Sequence, residues 1–359
     1  MELELGTSKR KQQVHFRCFA VFIFGFDGRF HLSILDVKLD TPTIITFTHK
    51  GYFVCEGGRK NVSLVTKMCL SMYLQALFLV TLLVAAQGNQ AILILGDWGV
   101  PDNPVHDIAQ VARDNDINQI ISVGDNFYEY GVNSVDDHLW EEVFENVYTD
   151  PVFSHTWNVI AGNHDHRGSV PAQISYTQSS SRWFFPSYYY KKTFYNDLVE
   201  IFFIDTQRLI HHHDQEQYNW LKLNLQKSTA KCKIVVGHHP IWSTGPHGSS
   251  TMLIDYIEPL LKKHSVKIYI SGHDHGFNHL KDGSLNHIIV GNTGKSTEMG
   301  VNRVSPQIMF EWPDSSDYRG YSKSYRKGFA IFHVFPTGIA VEFYQTATRK
   351  VLYGTFVEY

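Results

Sequence analysis

Residues 91–128 read AILILGDWGVPDNPVHDIAQVARDNDINQIISVGDNFY, and one short pattern occurs in them twice. Each copy is an apolar run broken by glycine and aspartate: AILIL before Gly96-Asp97, and QIISV before Gly124-Asp125. Continuous aliphatic and β-branched runs of this length indicate strands buried on both faces. VHDIAQVARD lies between them and reads as a helix. Strand, helix and strand in that order imply largely parallel strands with helices packed outside.

The same pattern continues downstream. WNVIA leads into Gly162-Asn163-His164-Asp165, KIVV into Gly237-His238-His239-Pro240, and KIYIS into Gly272-His273-Asp274-His275. A second helical stretch, QYNWLKLNL, follows Asp214. Ligands of α/β sheets bind beyond the carboxyl ends of the strands, so these polar clusters are expected to meet on one rim. The tail, from GFAIFHVF (328–335) through GIAVEFYQ (338–345) to KVLYGTFVEY, reads as antiparallel strands closing the domain. No internal repeat or linker interrupts 89–359, which is therefore expected to be a single domain.

Composition narrows the function classes. A chain of 359 residues with 43% hydrophobic and 19% charged residues belongs to a globular protein with a substantial core. Its formal net charge of -3 advertises no nucleic-acid or acidic-membrane partner. From Leu70 to Ala86 runs an uncharged apolar block, LSMYLQALFLVTLLVAA, followed by small residues. It is short for a membrane span, which needs about 20 apolar residues, and fits a secretory signal over 68–88. Residues 1–67 are then an upstream extension absent from the mature protein. A chain starting near Asn89 keeps Cys232 as its sole cysteine, so no internal disulfide is expected.

The chemistry lies in the residues that follow the strands. Asp97, Asp125, Tyr128, Asn163, His238, His273 and His275 offer carboxylate, phenolate, amide and imidazole groups without a thiolate. Such a mixed oxygen and nitrogen set suits iron, manganese or zinc. It exceeds the needs of one metal and suits two, if one carboxylate bridges. A metal pair can hold the attacking and leaving oxygens of a phosphoryl displacement.

In this order, GDWG, GDNFY, GNHD, GHHP and GHDH resemble the motifs of the purple acid phosphatases, with the small tartrate-resistant acid phosphatases the nearest group. The resemblance covers nearly all of 91–359. It implies a two-sheet α/β/β/α sandwich with helices on both outer faces and the metal site at the carboxyl ends of the strands. It also implies an acid phosphatase that hydrolyses phosphate monoesters by attack of a metal-bound hydroxide.

By the same resemblance, Asp97, Asp125, Tyr128 and His275 bind Fe(III). Asp125, Asn163, His238 and His273 bind a divalent ion, with Asp125 bridging. That ion is Fe(II) in the small animal-type members and zinc or manganese in others. Tyr128 would give a purple charge-transfer band. His164 and His247 match catalytic histidines that contact phosphate and help to protonate the leaving alkoxide, although Pro246 stands where relatives often carry an acidic residue. His239 replaces the tyrosine of GHYP and reads as a neighbour rather than a ligand.

Bland readings apply elsewhere. His211-His212-His213 is expected in a solvated loop, shorter than the inhibitory loop of the mammalian-type enzymes, so activity without cleavage is expected. Trp98, Trp183 and Tyr188–Tyr190 read as packing residues, Asp165 as an orienting group, and His166, His279 and His287 as structural or exposed. Small phosphorylated substrates, phosphoproteins and nucleotides are the partners implied, on a monomer that is secreted or lysosomal/vacuolar. Rival readings are a phosphodiesterase or nucleotide hydrolase on the same scaffold, and a secreted iron-binding protein.

Overall fold

The computed structural model describes residues 90–195, 197–320 and 322–359, together with the backbone of four strands nearer the N-terminus. The chain divides into two compact units, Met1–Gly88 and Asn89–Tyr359. In the first, β1 (Cys18–Phe24) pairs antiparallel with β2 (Phe30–Asp36), and β3 (Ile44–Phe47) with β4 (Phe53–Glu56). The apolar run beginning at Phe19 thus belongs to the first of these antiparallel pairs. The expected signal segment, 68–88, lies outside the described residues, as does most of the expected extension.

The second unit is built from two seven-stranded sheets. The first holds β5 (Ala91–Leu95), β6 (Ile117–Ser122), β7 (Trp157–Val159) and β8 (Trp183–Phe184), all parallel. The second begins with β9 (Tyr190–Phe194), antiparallel to β10 (Val199–Phe203). Beyond β10 come β11 (Cys232–Val236), β12 (Ile268–Ser271) and, past a hairpin, β14 (Leu285–Val290), in parallel register. Strands β13 (Phe277–Asp282) and β15 (Gln307–Trp312) extend that sheet antiparallel. The chain returns to the first sheet with β16 (Gly328–Phe335), β17 (Gly338–Gln345) and β18 (Lys350–Glu358), antiparallel as the tail reading expects.

Both sheets are therefore mixed, which corrects the expectation of largely parallel ones. The cause in the second sheet is local: Gly283, with φ +61°, turns the chain tightly between β13 and β14. A positive φ in a two-residue connection is what folds a strand back on its neighbour.

Side-chain alternation shows why the sheets stack. Ile201 and Phe203, Ile234 and Val236, and Ile268 and Ile270 join the main core between the sheets. Their neighbours Phe202, Val235 and Tyr269 point the other way, into a second apolar cluster. With period-two geometry, an unbroken apolar strand must have both faces covered.

Helices supply the outer cover. Helix α1 (Val105–Asp114) links β5 to β6 and buries Ile108, Ala109, Val111 and Ala112. Helix α2 (Val170–Ser175) starts at Ser169, whose hydroxyl accepts from Ala172 N. Helices α3 (Thr206–His212), α4 (Gln215–Lys227) and α5 (Glu258–Lys263) follow β10 and β11. Asp205 and Asp214 cap α3 and α4, accepting from Arg208 N and Gln217 N at 3.0 Å. Side-chain oxygens there satisfy backbone donors that the helix leaves unpaired.

His211 and His212 thus end a helix, with His213 as a left-handed cap at φ 49°, rather than occupying the expected loop. Among the described residues no helix is long and apolar enough to cross a membrane. Cys232 is a free, buried thiol.

Trp98 ties the first motif to this frame. It is fully buried, its Nε1 donates to Ser122 Oγ at 2.8 Å, and its ring centroid lies 5.2 Å from that of Trp157 and 5.4 Å from Tyr148. Trp183 is equally buried, so both are core residues, as the packing reading has it. Replacing a fully buried large aromatic by alanine costs about 3–5 kcal/mol. Trp98→Ala should lower the unfolding free energy by that amount in a urea titration. A change below about 1 kcal/mol would show that the cluster repacks without it.

Candidate metal centre

All the sequence-selected motifs end strands on the same side of the stacked sheets. Asp97 follows β5, Asp125 follows β6, Asn163 follows β7, His238 follows β11 and His273 follows β12. The turns are tight: Asp97, Asp125 and His273 have φ of 56°, 53° and 70°, a left-handed conformation uncommon outside glycine. Such strain persists where surrounding structure over-determines it, and it concentrates at functional sites. The adjoining glycines leave room for the carboxylates. A Cβ on Gly162 would lie 2.2 Å from Asp125 Oδ1, and one on Gly272 would lie 2.3 Å from Asp97 Oδ2.

The seven selected side chains come together in two overlapping groups. In the first, Tyr128 Oη lies 2.8 Å from Asp125 Oδ2, 3.0 Å from Asp97 Oδ1 and 3.3 Å from His275 Nε2. One ligand atom each from Asp97, Asp125 and His275 falls within 4.8 Å of the others. In the second group, Asn163 Oδ1 lies 3.0 Å from His238 Nε2 and 2.9 Å from His273 Nδ1. Asp125 belongs to both, since its Oδ1 is 3.4 Å from His238 Nε2 while its Oδ2 faces Tyr128.

Proton counting tests whether cations fit here. His238 Nδ1 is 2.9 Å from the Val123 carbonyl, which fixes its hydrogen on that nitrogen. The lone pair of Nε2 then faces two oxygens, Asn163 Oδ1 and Asp125 Oδ1. Tyr128 likewise has one hydrogen for three neighbours. Buried electron-rich atoms placed this closely need positive charge between them.

The electrostatics agree. Burial drives the Asp97 carboxyl well above its usual pKa range, and Asp125 adds to the rise. Burial, then Asp97 and Asp125, hold the Tyr128 phenol well above 10. Burial alone would lower His238, but Asp125 and Asp97 outweigh it and raise its pKa. Without an ion, protons take the places where the donor set suits cations, and a mixed oxygen and imidazole set suits borderline and hard metals.

The two candidate catalytic histidines stand at the mouth. His164 N donates to Asp125 Oδ1 at 2.9 Å, and His164 Nδ1 lies 2.8 Å from the Glu129 carbonyl. That contact leaves Nε2 free, 4.0 Å from Asp125 Oδ2. Burial lowers the His164 pKa, with Asp125 opposing. The His247 ring packs against His273, centroids 4.4 Å apart. His247 N donates to Asp274 Oδ1 at 2.8 Å, and Asp274 Oδ2 accepts from Ser243 Oγ.

Asp165 orients its surroundings, as expected, accepting from the backbone of Gly162, Asn126 and Phe127. His239 is a neighbour: its Nδ1 bonds Thr206 Oγ1 at 2.8 Å. His166 Nε2 lies 2.7 Å from the buried Asp205, and His279 is buried between Tyr353 and Asn286.

Three residues escaped the sequence reading. Asp274 lies inside GHDH, so its position was visible but its task of holding the His247 loop was not. Lys295 sits over the Tyr128 ring, Nζ 3.6 Å from the centroid, and bonds Glu129 at 2.7 Å. Neither Lys295 nor Glu129 carries a local signal for this role, because only the fold brings them together.

Comparison with known proteins fits this geometry. The calcineurin-like phosphoesterase family model matches residues 91–277, just over half of the chain. Human tartrate-resistant acid phosphatase type 5 is 36% identical over 242 residues, 59% of this chain and 74% of that protein. Purple acid phosphatase 7 of Arabidopsis thaliana is 31% identical over 278 residues, 69% and 83% of the two chains. Among solved structures, GAP50, described as the anchor in the inner membrane complex of Plasmodium, superposes with a TM-score of 0.65 at 26% identity. That match covers 75% of this chain and 89% of GAP50. The chain therefore belongs to the calcineurin-like phosphoesterase family, in the group of the tartrate-resistant and purple acid phosphatases.

Proposed function

We propose that this chain is an acid phosphatase that hydrolyses phosphate monoesters at a binuclear metal centre. The observation that carries the reading is the convergence of Asp97, Asp125 and His275 ligand atoms within 4.8 Å, with Asn163 Oδ1 and His238 Nε2 adjoining Asp125. Asp97, Asp125, Tyr128 and His275 would hold one ion and Asp125, Asn163, His238 and His273 the other. The phenolate of Tyr128 suits Fe(III) at the first position, and Fe(II), zinc or manganese suits the second. When bound, the pair supplies Lewis-acid activation of water and of the phosphoryl group.

The chain's own residues do the rest. Asp125 positions both ligand groups, one oxygen toward each. His164 keeps its Nδ1 hydrogen on the Glu129 carbonyl, so a second proton, when one is bound, sits on Nε2, facing the site. From there it reaches a phosphoryl oxygen or the departing alkoxide. Asp274 holds the backbone of His247 so that its ring stands over His273 as a second donor.

Purified protein is expected to carry about two metal ions per chain, to absorb visible light, and to hydrolyse p-nitrophenyl phosphate in acid faster than a diester or ATP. Tyr128→Phe should abolish the visible band; a variant that keeps its colour would remove Tyr128 from the ligand set. Metal-loaded protein without phosphatase activity would favour the iron-binding alternative.

We also infer that residues 68–88 are a signal segment and that the mature enzyme, 89–359, is secreted or lysosomal/vacuolar. Mass spectrometry of native protein is expected to find an N-terminus near Asn89, and a peptide from 1–60 would refute it. Helices α3 and α4 leave little exposed loop between Asp205 and Trp220. Activity should accordingly change less than twofold on limited proteolysis, and a large gain would contradict the unrestrained state.

A further inference from the structure

The segment that follows β14 is stitched to the turns of the first ligand group on both sides of Lys295. Before it, Thr293 N donates to the Gly96 carbonyl at 3.2 Å and Gly294 N to the Asp97 carbonyl at 3.1 Å. After it, Thr297 N donates to the His275 carbonyl at 2.9 Å. Lys295 is thereby fixed between the backbones of two residues of the ligand set, Asp97 and His275. The third, Tyr128, lies under its side chain.

The ammonium stands 3.6 Å from the centroid of the Tyr128 ring. That is well inside the roughly 6 Å over which a cation and an aromatic face attract. Its counter-ion, Glu129, does not cancel it. One Glu129 oxygen takes Lys295 at 2.7 Å, while the other lies 3.3 Å from His164 Nδ1 and 3.9 Å from Arg167. The Glu129 side chain is also 53% exposed, against 29% for Lys295, so water screens the carboxylate more than the ammonium. A carboxylate shared three ways and better screened leaves part of the positive charge acting on the ring.

We propose that Lys295 is a positioning residue for the metal centre: from the face of Tyr128 its ammonium sets how strongly the phenolate donates to the ion it holds, and so the colour and the one-electron reduction potential of the centre. The proposal rests on the reading of Tyr128 as a ligand of Fe(III). Negative charge on a phenolate spreads into the ring, and a cation over the ring holds it there. Light that moves an electron from ring to ion moves it away from the ammonium, so Lys295 raises the energy of the visible band. A phenolate that donates less stabilises the ferric state less, so Lys295 also raises the potential. Groups beyond the ligands tune bound metals in this way.

The test compares metal-loaded wild type with Lys295→Met, which removes the charge at similar length, and Lys295→Arg, which keeps it. Metal content and circular dichroism check that each variant is loaded and folded, and Lys295→Gln serves if K295M is not. The neutral variant should absorb at longer wavelength. In a dithionite titration its ferric-to-ferrous ratio at a given potential should rise about tenfold, which for one electron is a potential lower by about 59 mV. K295R should match the wild type in both readouts. An unmoved band and potential in the neutral variant, or equal changes in K295R, would overturn the role of Lys295 and leave Tyr128 a ligand. A wild type that carries iron without a visible band would overturn the ferric reading and the role of Lys295 with it.

Discussion

Like charges forced together at the ends of strands set the terms for this domain. Asp97 and Asp125 are buried, each in a left-handed turn, with a phenol lodged between their carboxylates and a histidine nitrogen beyond. Burying carboxylates is expensive unless positive charge or hydrogen bonds compensate. The backbone amides of His164 and His273, which reach Asp125 and Asp97 at 2.9 Å, supply part of that compensation. Cations supply the remainder in the reading given above. The two-sheet frame exists to hold this arrangement against its own repulsion.

The frame does so by covering both faces of the central strands. Alternate side chains of β10, β11 and β12 enter separate apolar clusters, so a one-residue slip would exchange the residues packed into each. Trp98 and its aromatic neighbours perform the same task for the first motif, pinning the turn after β5 to Ser122 on β6. Glycines at 162 and 272 then let the backbone approach the carboxylates more closely than a side chain permits. Rigidity in the core is thus passed to the rim through very short turns.

Much of this was legible from the chain alone, because strand ends carry both a hydrophobic and a chemical signal. The runs before Gly96, Gly124, Gly162, Gly237 and Gly272 gave strands and candidate ligands at once, and helices 105–114 and 215–227 were visible in their patterns. The hairpin of β13 and β14 was not. Its turn residue, Gly283, is one glycine among many, and only pairing partners reveal its direction. Lys295 and Asp274 were missed for a related reason: their partners, Tyr128 and the His247 loop, are set by tertiary contact. His211 and His212 were misread because a polar composition conceals the cap, Asp205, that starts helix α3.

The order of strands in the two sheets has one further consequence, in time rather than in space. The first sheet is completed only when β16 returns to lie beside β5, and the second joins strands scattered from β9 to β15. Contacts so distant along the chain form slowly. Asp97 and His273 approach one another only after those distant pairings are in place. A complete ligand set therefore needs both sheets in place, and tight ion binding is expected only of a molecule that has finished assembling.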